Sequence, residues 1–182
     1  KMSASGCLFD FNKLNDVSKT VISKMKAQEV VDYLLDWAKE YDKEFYEILK
    51  KDEKKTLQIF NIDRENPKPR KDIIKWSDAK QYSAFMFDEL FTPCFNLPEN
   101  IAKESAVKIL EAYKGVYSPD HDNQQWFEAI KSICPSANFA TDTKAYKQEP
   151  EKYSGSPGDA STIIRVAITG RTNTPDLCSI MR

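Results

Sequence analysis

Between residues 28 and 49 the apolar side chains Val30, Val31, Leu34, Leu35, Ala38, Tyr41, Phe45, Ile48 and Leu49 recur in steps of three and four. That spacing lays them on one stripe of an α-helix and cannot seat a half-buried strand, whose faces alternate every second residue. One long helix is expected here, or two with a bend near Asp42. The same period returns along the chain. A helix over 54–61 would turn Leu57 and Phe60 inward, and a helix started by Ser77 or Asp78 would run through Ala84, Met86, Phe87 and Leu90. A third would carry Ile101, Ala102, Ala106, Ile109, Leu110 and Tyr113 and stop at Gly115. No stretch alternates with the strand period over a useful length, and no internal repeat is visible. An all-α architecture follows.

Capping residues sharpen the helix ends. Asp122 with Gln125 three residues on forms a capping-box pattern, ahead of an expected buried face of Trp126, Phe127, Ile130 and Ile133 that ends at Pro135. After the turn-rich stretch 154–158, Asp159 or Ser161 is expected to cap a helix that buries Ile163, Ile164, Ala167 and Ile168 and ends on a left-handed Gly170. Thr174 then reads as the N-cap of a last short helix, with Pro175 as its first residue and Asp176 as a favourable charge at its N-terminus. Pro93 and Pro98 bracket an apolar loop. That loop is the expected boundary between two helical lobes, 13–96 and 97–182.

Charge and reactive residues exclude several classes. The chain holds 27 Lys and Arg against 28 Asp and Glu, a net charge of −1, so it is not a polycation that coats nucleic acid, although local basic patches are allowed. No apolar run is long enough to span a membrane. The chain starts at Lys1 without a charged-then-apolar leader, which reads as a fragment or processed piece of a cytoplasmic protein. Cys7, Cys94, Cys134 and Cys178 are scattered and read as reduced, packed thiols. The one histidine, His121, is expected on the surface at a helix start, and no ligand spacing suits zinc. Five scattered glycines build no phosphate-binding loop. The carboxylates Asp36, Glu40, Glu44 and Glu47 alternate with lysines, as on a solvated helix face.

Two segments have chemistry suited to a polyanion. The stretch 64–80 is rich in cations (Arg64, Lys68, Arg70, Lys71, Lys75, Lys80), is stiffened by Pro67 and Pro69, and leads to Trp76. Rigid cations beside an aromatic ring suit phosphate contact and base stacking, while an ordinary charged loop with Trp76 in the core is the alternative. Near the carboxyl end, Arg165 falls off the apolar face of its helix, beside the polar loop of Gly170, Arg171 and Thr174. Thr174 and the N–H groups behind it could bond base edges or phosphate, and Pro175 and Leu177 could offer an apolar platform.

The opening Lys1-Met2-Ser3-Ala4-Ser5 resembles the K-M-S-K-S signature of class I aminoacyl-tRNA synthetases, but Ala4 replaces the lysine that would face ATP phosphates. A broader likeness covers the whole chain. Residues 9–15 (F-D-F-N-K-L-N), 64–78 (R-E-N-P-K-P-R-K-D-I-I-K-W-S-D), 120–127 (D-H-D-N-Q-Q-W-F), 164–170 (I-R-V-A-I-T-G) and 174–177 (T-P-D-L) resemble, in order, the tRNA-binding half of the bacterial-type glutamyl-tRNA synthetases. The resemblance implies that the ATP-site loop lies earlier in the family's chain, so the opening signature is a coincidence.

It further implies that residues 1–12 are the tail of a stem-contact region, followed by two anticodon-binding lobes, the second shortened at its end. Arg165, Thr174, Pro175 and Leu177 would contact the anticodon, and Arg70, Lys71, Lys75 and Arg171 the RNA backbone. The partner would be tRNA(Glu), bound by a monomer. No catalytic residue, metal or cofactor is expected in this part, whereas the intact enzyme would attach L-glutamate using ATP and Mg²⁺. Whether such an enzyme also charges the glutamine tRNA depends on a first-lobe position that the motifs leave unaligned. The rival reading is a helical protein-interaction module that does not touch RNA.

Overall fold

The computed structural model describes residues 10–182, so the Lys1–Ser5 stretch, Cys7 and Phe9 lie outside the described residues. Among the described residues the regular structure is all helix, with a single isolated bridge between Phe139 and Gly155 in place of any strand. The chain divides into two compact units, Lys1–Glu89 and Leu90–Arg182.

In the first unit, α1 (Phe11–Lys24), α2 (Ala27–Tyr41), α3 (Lys43–Lys51), α4 (Glu53–Asn61) and α5 (Asp78–Ser83) follow in order, with a 3₁₀ turn at Ala84–Met86. The long periodic stretch breaks at Asp42, whose carboxylate leaves the helical path and accepts the Phe45 N–H at 3.0 Å. Ten residues on, Asp52 repeats the device by accepting the Lys55 N–H at 2.9 Å. An aspartate that satisfies a helix's unpaired N–H groups favours starting a new helix over continuing the old one. The core joins Val30, Leu34 and Ala38 of α2 with Phe45 and Leu49 of α3 and Phe60 of α4. Tyr41, expected on the buried stripe, is 66% exposed because the break at Asp42 ends its helix there. In α4, Thr56 and Ile59 are buried with Phe60, and Leu57 is only half-buried. The fully buried Thr56 hydroxyl donates to the Leu49 carbonyl at 2.8 Å and satisfies the end of α3. The helix expected to reach Leu90 stops earlier, at α5 and its 3₁₀ turn.

Two helices go beyond the apolar periods of the sequence. α1 has its N-terminus capped by Asp10, whose carboxylate accepts from Asn12 N and Lys13 N, yet keeps Phe11, Leu14, Val17 and Val21 exposed. α8 (Thr143–Gln148), in the second unit, buries no residue and so has no period to show.

The second unit also holds α6 (Lys103–Lys114), α7 (Asn123–Ile133), a 3₁₀ turn at Cys134–Ala137, another at Pro150–Lys152, α9 (Pro157–Thr169) and α10 (Leu177–Ile180). Its core gathers Ile109 and Tyr113 of α6, Ile130 and Ile133 of α7, Ile163 and Ile164 of α9, and Leu177 of α10. Asp122 caps α7 through the reciprocal bonds with Gln125 that the sequence predicts, at 2.8 and 3.0 Å. Phe127, expected inside, is 37% exposed, and Lys131 lies 4.9 Å over its ring. The Phe139 ring lies against Gly155, where a Cβ would come within 2.9 Å of it, so the bridge between them needs a residue without a side chain.

Candidate functional site

The carboxyl-terminal corner is set by where α9 begins and ends. The N-cap is Ser156, not Asp159 or Ser161. Asp159 serves as its capping-box partner, its carboxylate accepting the Ser156 N–H at 2.8 Å. Pro157 explains the earlier start, because its fixed φ and missing N–H suit the first helical position. The helix ends as predicted at Gly170, with φ of 70°. Its buried face differs from expectation. Val166 and Thr169 turn inward with Ile163 and Ile164, while Ala167 and Ile168 are exposed. Thr169 locks this rotation: its hydroxyl donates to the Arg165 carbonyl at 2.7 Å and accepts the Arg171 N–H at 3.2 Å.

This orientation carries Arg165 to the threonine–proline corner. Its Nη1 donates to the Thr174 hydroxyl, to the Thr174 carbonyl at 3.3 Å and to the Pro175 carbonyl at 3.1 Å. The Thr174 hydroxyl itself donates to the Pro175 carbonyl at 3.0 Å. With that hydroxyl engaged, Thr174 is not the cap of α10. Asp176 is, accepting the Ser179 N–H at 2.8 Å and the Ser179 hydroxyl at 2.7 Å. Thr174, Pro175 and Leu177 are all buried, Leu177 to 1% exposure, inside the second unit's core. They therefore shape the corner from beneath and do not present the expected open platform. Arg171 is half-buried, and its desolvation lowers the guanidinium pKa. Thr172 and Asn173 form the exposed rim of the loop. Short as it is, α10 is tied down: the Tyr117 hydroxyl donates to the Met181 carbonyl at 2.8 Å, and Arg182 Nη2 to the His121 carbonyl at 2.6 Å.

The basic segment of the first unit divides its cations by role. Arg64 is structural. Its Nε donates to the Phe60 carbonyl at 2.6 Å and its Nη1 to the carbonyls of Ile22 and Met25 at 2.8 and 3.1 Å, closing the end of α1. Arg70 pairs with Asp72 through two bonds of 2.6 and 3.1 Å, which neutralises it locally. Lys80 is paired with Asp42 and Glu44. Lys71 and Lys75 remain exposed, and neither closes an ion pair among the described residues; Lys71 donates instead to the Thr20 hydroxyl at 3.1 Å. Trp76 is half-buried and stacks on Tyr33 at 5.9 Å with 13° between the rings. Tyr33 and Thr169 are the residues that sequence reasoning did not single out. Tyr33 lies off the apolar stripe of α2, and Thr169 reads as an ordinary helix-end residue.

No nucleophilic pair assembles among the described residues. Cys178 Sγ contacts the His121 backbone carbonyl at 3.5 Å, and burial pushes the Cys134 thiol up to about 11. What the two regions offer is hydrogen-bond donors, cations and aromatic faces.

Comparison with known proteins gives these regions a context. Over its full length the chain is 46% identical to a glutamate–tRNA ligase of Clostridium perfringens (strain 13 / Type A), covering 34% of that protein. It is 43% identical to the glutamate–tRNA ligase of Acetivibrio thermocellus and 34% identical to that of Sorangium cellulosum, covering 33% and 32% of them. The chain thus spans about a third of the length of the curated relatives it matches. No protein-family model and no solved structure matches it. Along its whole length, this chain is homologous to the C-terminal third of the glutamate–tRNA ligases.

Proposed function

We propose that this chain is the anticodon-reading part of a glutamate–tRNA ligase, binding tRNA(Glu) as a monomer in the cytoplasm and performing no chemistry itself. The observation that carries the reading is the full-length similarity to glutamate–tRNA ligases, combined with an arginine anchored where a helix end meets a polar loop. Arg165 donates to a base edge from the corner. An incoming base takes over the bond that Arg165 now makes to the Thr174 hydroxyl. Pro175 and Leu177 act from beneath, by holding the loop in shape. Lys71 and Lys75 meet backbone phosphates, Arg171 does so from the half-buried side of its loop, and Arg70 does so only where phosphate displaces Asp72.

Glutamate attachment with ATP and Mg²⁺ belongs to the portion of the relatives that this chain does not span. Among the described residues no group of three or more His, Cys, Asp and Glu side chains is placed to hold a metal ion. Among the described residues no helix is long and apolar enough to cross a membrane.

Filter binding against salt tests the reading. Arg165→Ala should weaken binding by about 1–3 kcal/mol and blur discrimination among anticodon-swapped tRNAs, whereas Lys71→Ala should weaken all RNA alike and lower the salt slope by about one. Equal affinity of the unmutated chain for tRNAs with swapped anticodons would refute it.

A further inference from the structure

Beside the basic segment, within the first unit, Ser18 and Val21 of α1, Met25 at its C-terminal cap, Trp37 of α2 and Lys75, Trp76 and Ser77 of the connecting segment line a groove of about 510 Å³. Two indoles, Trp37 and Trp76, are part of its lining. Trp76 is backed by Tyr33 in a near-parallel stack, and Trp37 is backed by Tyr41 at 5.9 Å with 26° between the rings. Each indole is thus stacked on a tyrosine. The mouth is open, since Val21 is 50% exposed. Among the described residues, Lys75 is the one ionisable residue in the lining, and no carboxylate lines it. Of the carboxylates nearby, Asp16 holds Lys19 at 2.5 Å and also feels the Lys71 charge, Asp72 holds Arg70, and Asp78 accepts the Ile74 and Lys75 N–H groups at 3.3 and 3.2 Å. Lys71 flanks the same helix through Thr20.

Aromatic faces beside exposed cations are how proteins hold single-stranded nucleic acid without reading its sequence, because every base has a π-face and every nucleotide a phosphate. The volume lies in the range of pockets that enclose small ligands. We propose that this groove seats one unstacked base of an RNA strand against the indoles that line it, Trp37 and Trp76, with the adjoining phosphate at Lys75 and Lys71. This deepens the reading of the chain as an RNA binder and rests on that reading for the choice of ligand. It adds a sequence-tolerant contact in the first unit, separate from the arginine corner in the second.

Tryptophan emission reports on the groove directly. Three tryptophans are present, and the third, Trp126, belongs to the second unit, where it donates to the Tyr113 hydroxyl at 3.0 Å. A Trp126→Phe chain titrated with a single-stranded heptaribonucleotide of mixed sequence should show saturable quenching that weakens as salt rises. Val21→Glu narrows the mouth and repels phosphate, and Lys75→Glu reverses the cation. Both positions are exposed, so unchanged helical circular dichroism is expected for both. Each variant should raise the dissociation constant about tenfold, within the range found for losing one stacked base. Absence of quenching, or quenching unchanged in both variants, overturns the groove as a base site; a groove occupied by a protein segment would give the first of these results. The heptaribonucleotide carries no anticodon loop, so failure here leaves the anticodon comparison at Arg165 standing. Conversely, quenching with no discrimination among whole tRNAs would uphold the groove and refute the anticodon reading.

Discussion

Replacing Gly170 by alanine probes how the arginine corner is built. The residue sits at φ of 70° and ψ of 10°, in the left-handed region, and its N–H donates to the Val166 carbonyl at 2.9 Å to close α9. A side chain in that conformation costs about 1–2 kcal/mol. A Cβ built there would also stand 3.3 Å from the Cys94 carbonyl oxygen and 3.4 Å from the Cys94 Cβ. Backbone must then shift by a few tenths of an ångström. The dihedral strain alone, about 1–2 kcal/mol, corresponds for a unit of this size to a fall in melting temperature of roughly 5–15 °C, and the approach to Cys94 adds to it. Thermal denaturation followed by circular dichroism measures it. Gly170→Asn separates the two causes, because asparagine tolerates the left-handed region but brings the same Cβ. If dihedral strain dominates, asparagine recovers most of the loss; if the approach to Cys94 dominates, alanine and asparagine lose alike. Since Gly170 directs the loop that carries Thr174 to Arg165, the alanine variant should also bind tRNA more weakly. A Gly170→Ala chain that melts with the unmutated protein would refute this account of the corner.

Further expectations concern the rest of the fold. Thr56→Val removes the buried donor to the Leu49 carbonyl and should cost about 1–2 kcal/mol in urea denaturation, with the slope unchanged; a neutral effect would mean that the bond contributes nothing net. Burial pushes the Asp42 carboxyl up, but the Phe45 N–H and the Lys80 ammonium outweigh it and hold the pKa below the usual carboxylate value. A depressed carboxylate contributes stability above its unfolded pKa and loses it as pH falls through the folded one, so this share should fade below about pH 4. Lys80 is shifted up by its bond to Asp42 against desolvation, so its share should fade only above about pH 10. Asp42→Asn should therefore flatten the acid limb of a stability–pH curve, and an unchanged limb would count against the pair. Cys134 is fully buried, with its thiol held protonated at neutral pH, whereas Cys94 is exposed. A short iodoacetamide pulse read by mass spectrometry should label Cys94 and spare Cys134 until the protein unfolds, and equal labelling would contradict the packing.

Local chemistry made much of this architecture legible in the amino acids alone. The 3.6-residue period of α2 and α3, the capping box at Asp122 and Gln125, and the left-handed stop at Gly170 each depend on groups a few residues apart. Nothing distant has to be known to read them. Asp42 marks the limit of that reading: its neighbourhood signals a bend, but a continuous helix satisfies the same period.

Tertiary packing decided the rest. The last turn of α9 rotates to bury Val166 and Thr169 in place of Ala167 and Ile168, because Thr169 finds partners on Arg165 and Arg171 once the loop folds back. The Thr174 hydroxyl faces a choice between capping α10 and holding Arg165. It takes the second because Asp176 supplies the cap. Among the cations of residues 64–80, charge alone makes Arg64, Arg70 and Lys75 equivalent. They part company only when carbonyls from α1 close around Arg64, Asp72 pairs with Arg70, and Lys75 is left at the edge of an aromatic groove. The partners that settle those roles lie tens of residues away in several cases, beyond the reach of any local pattern.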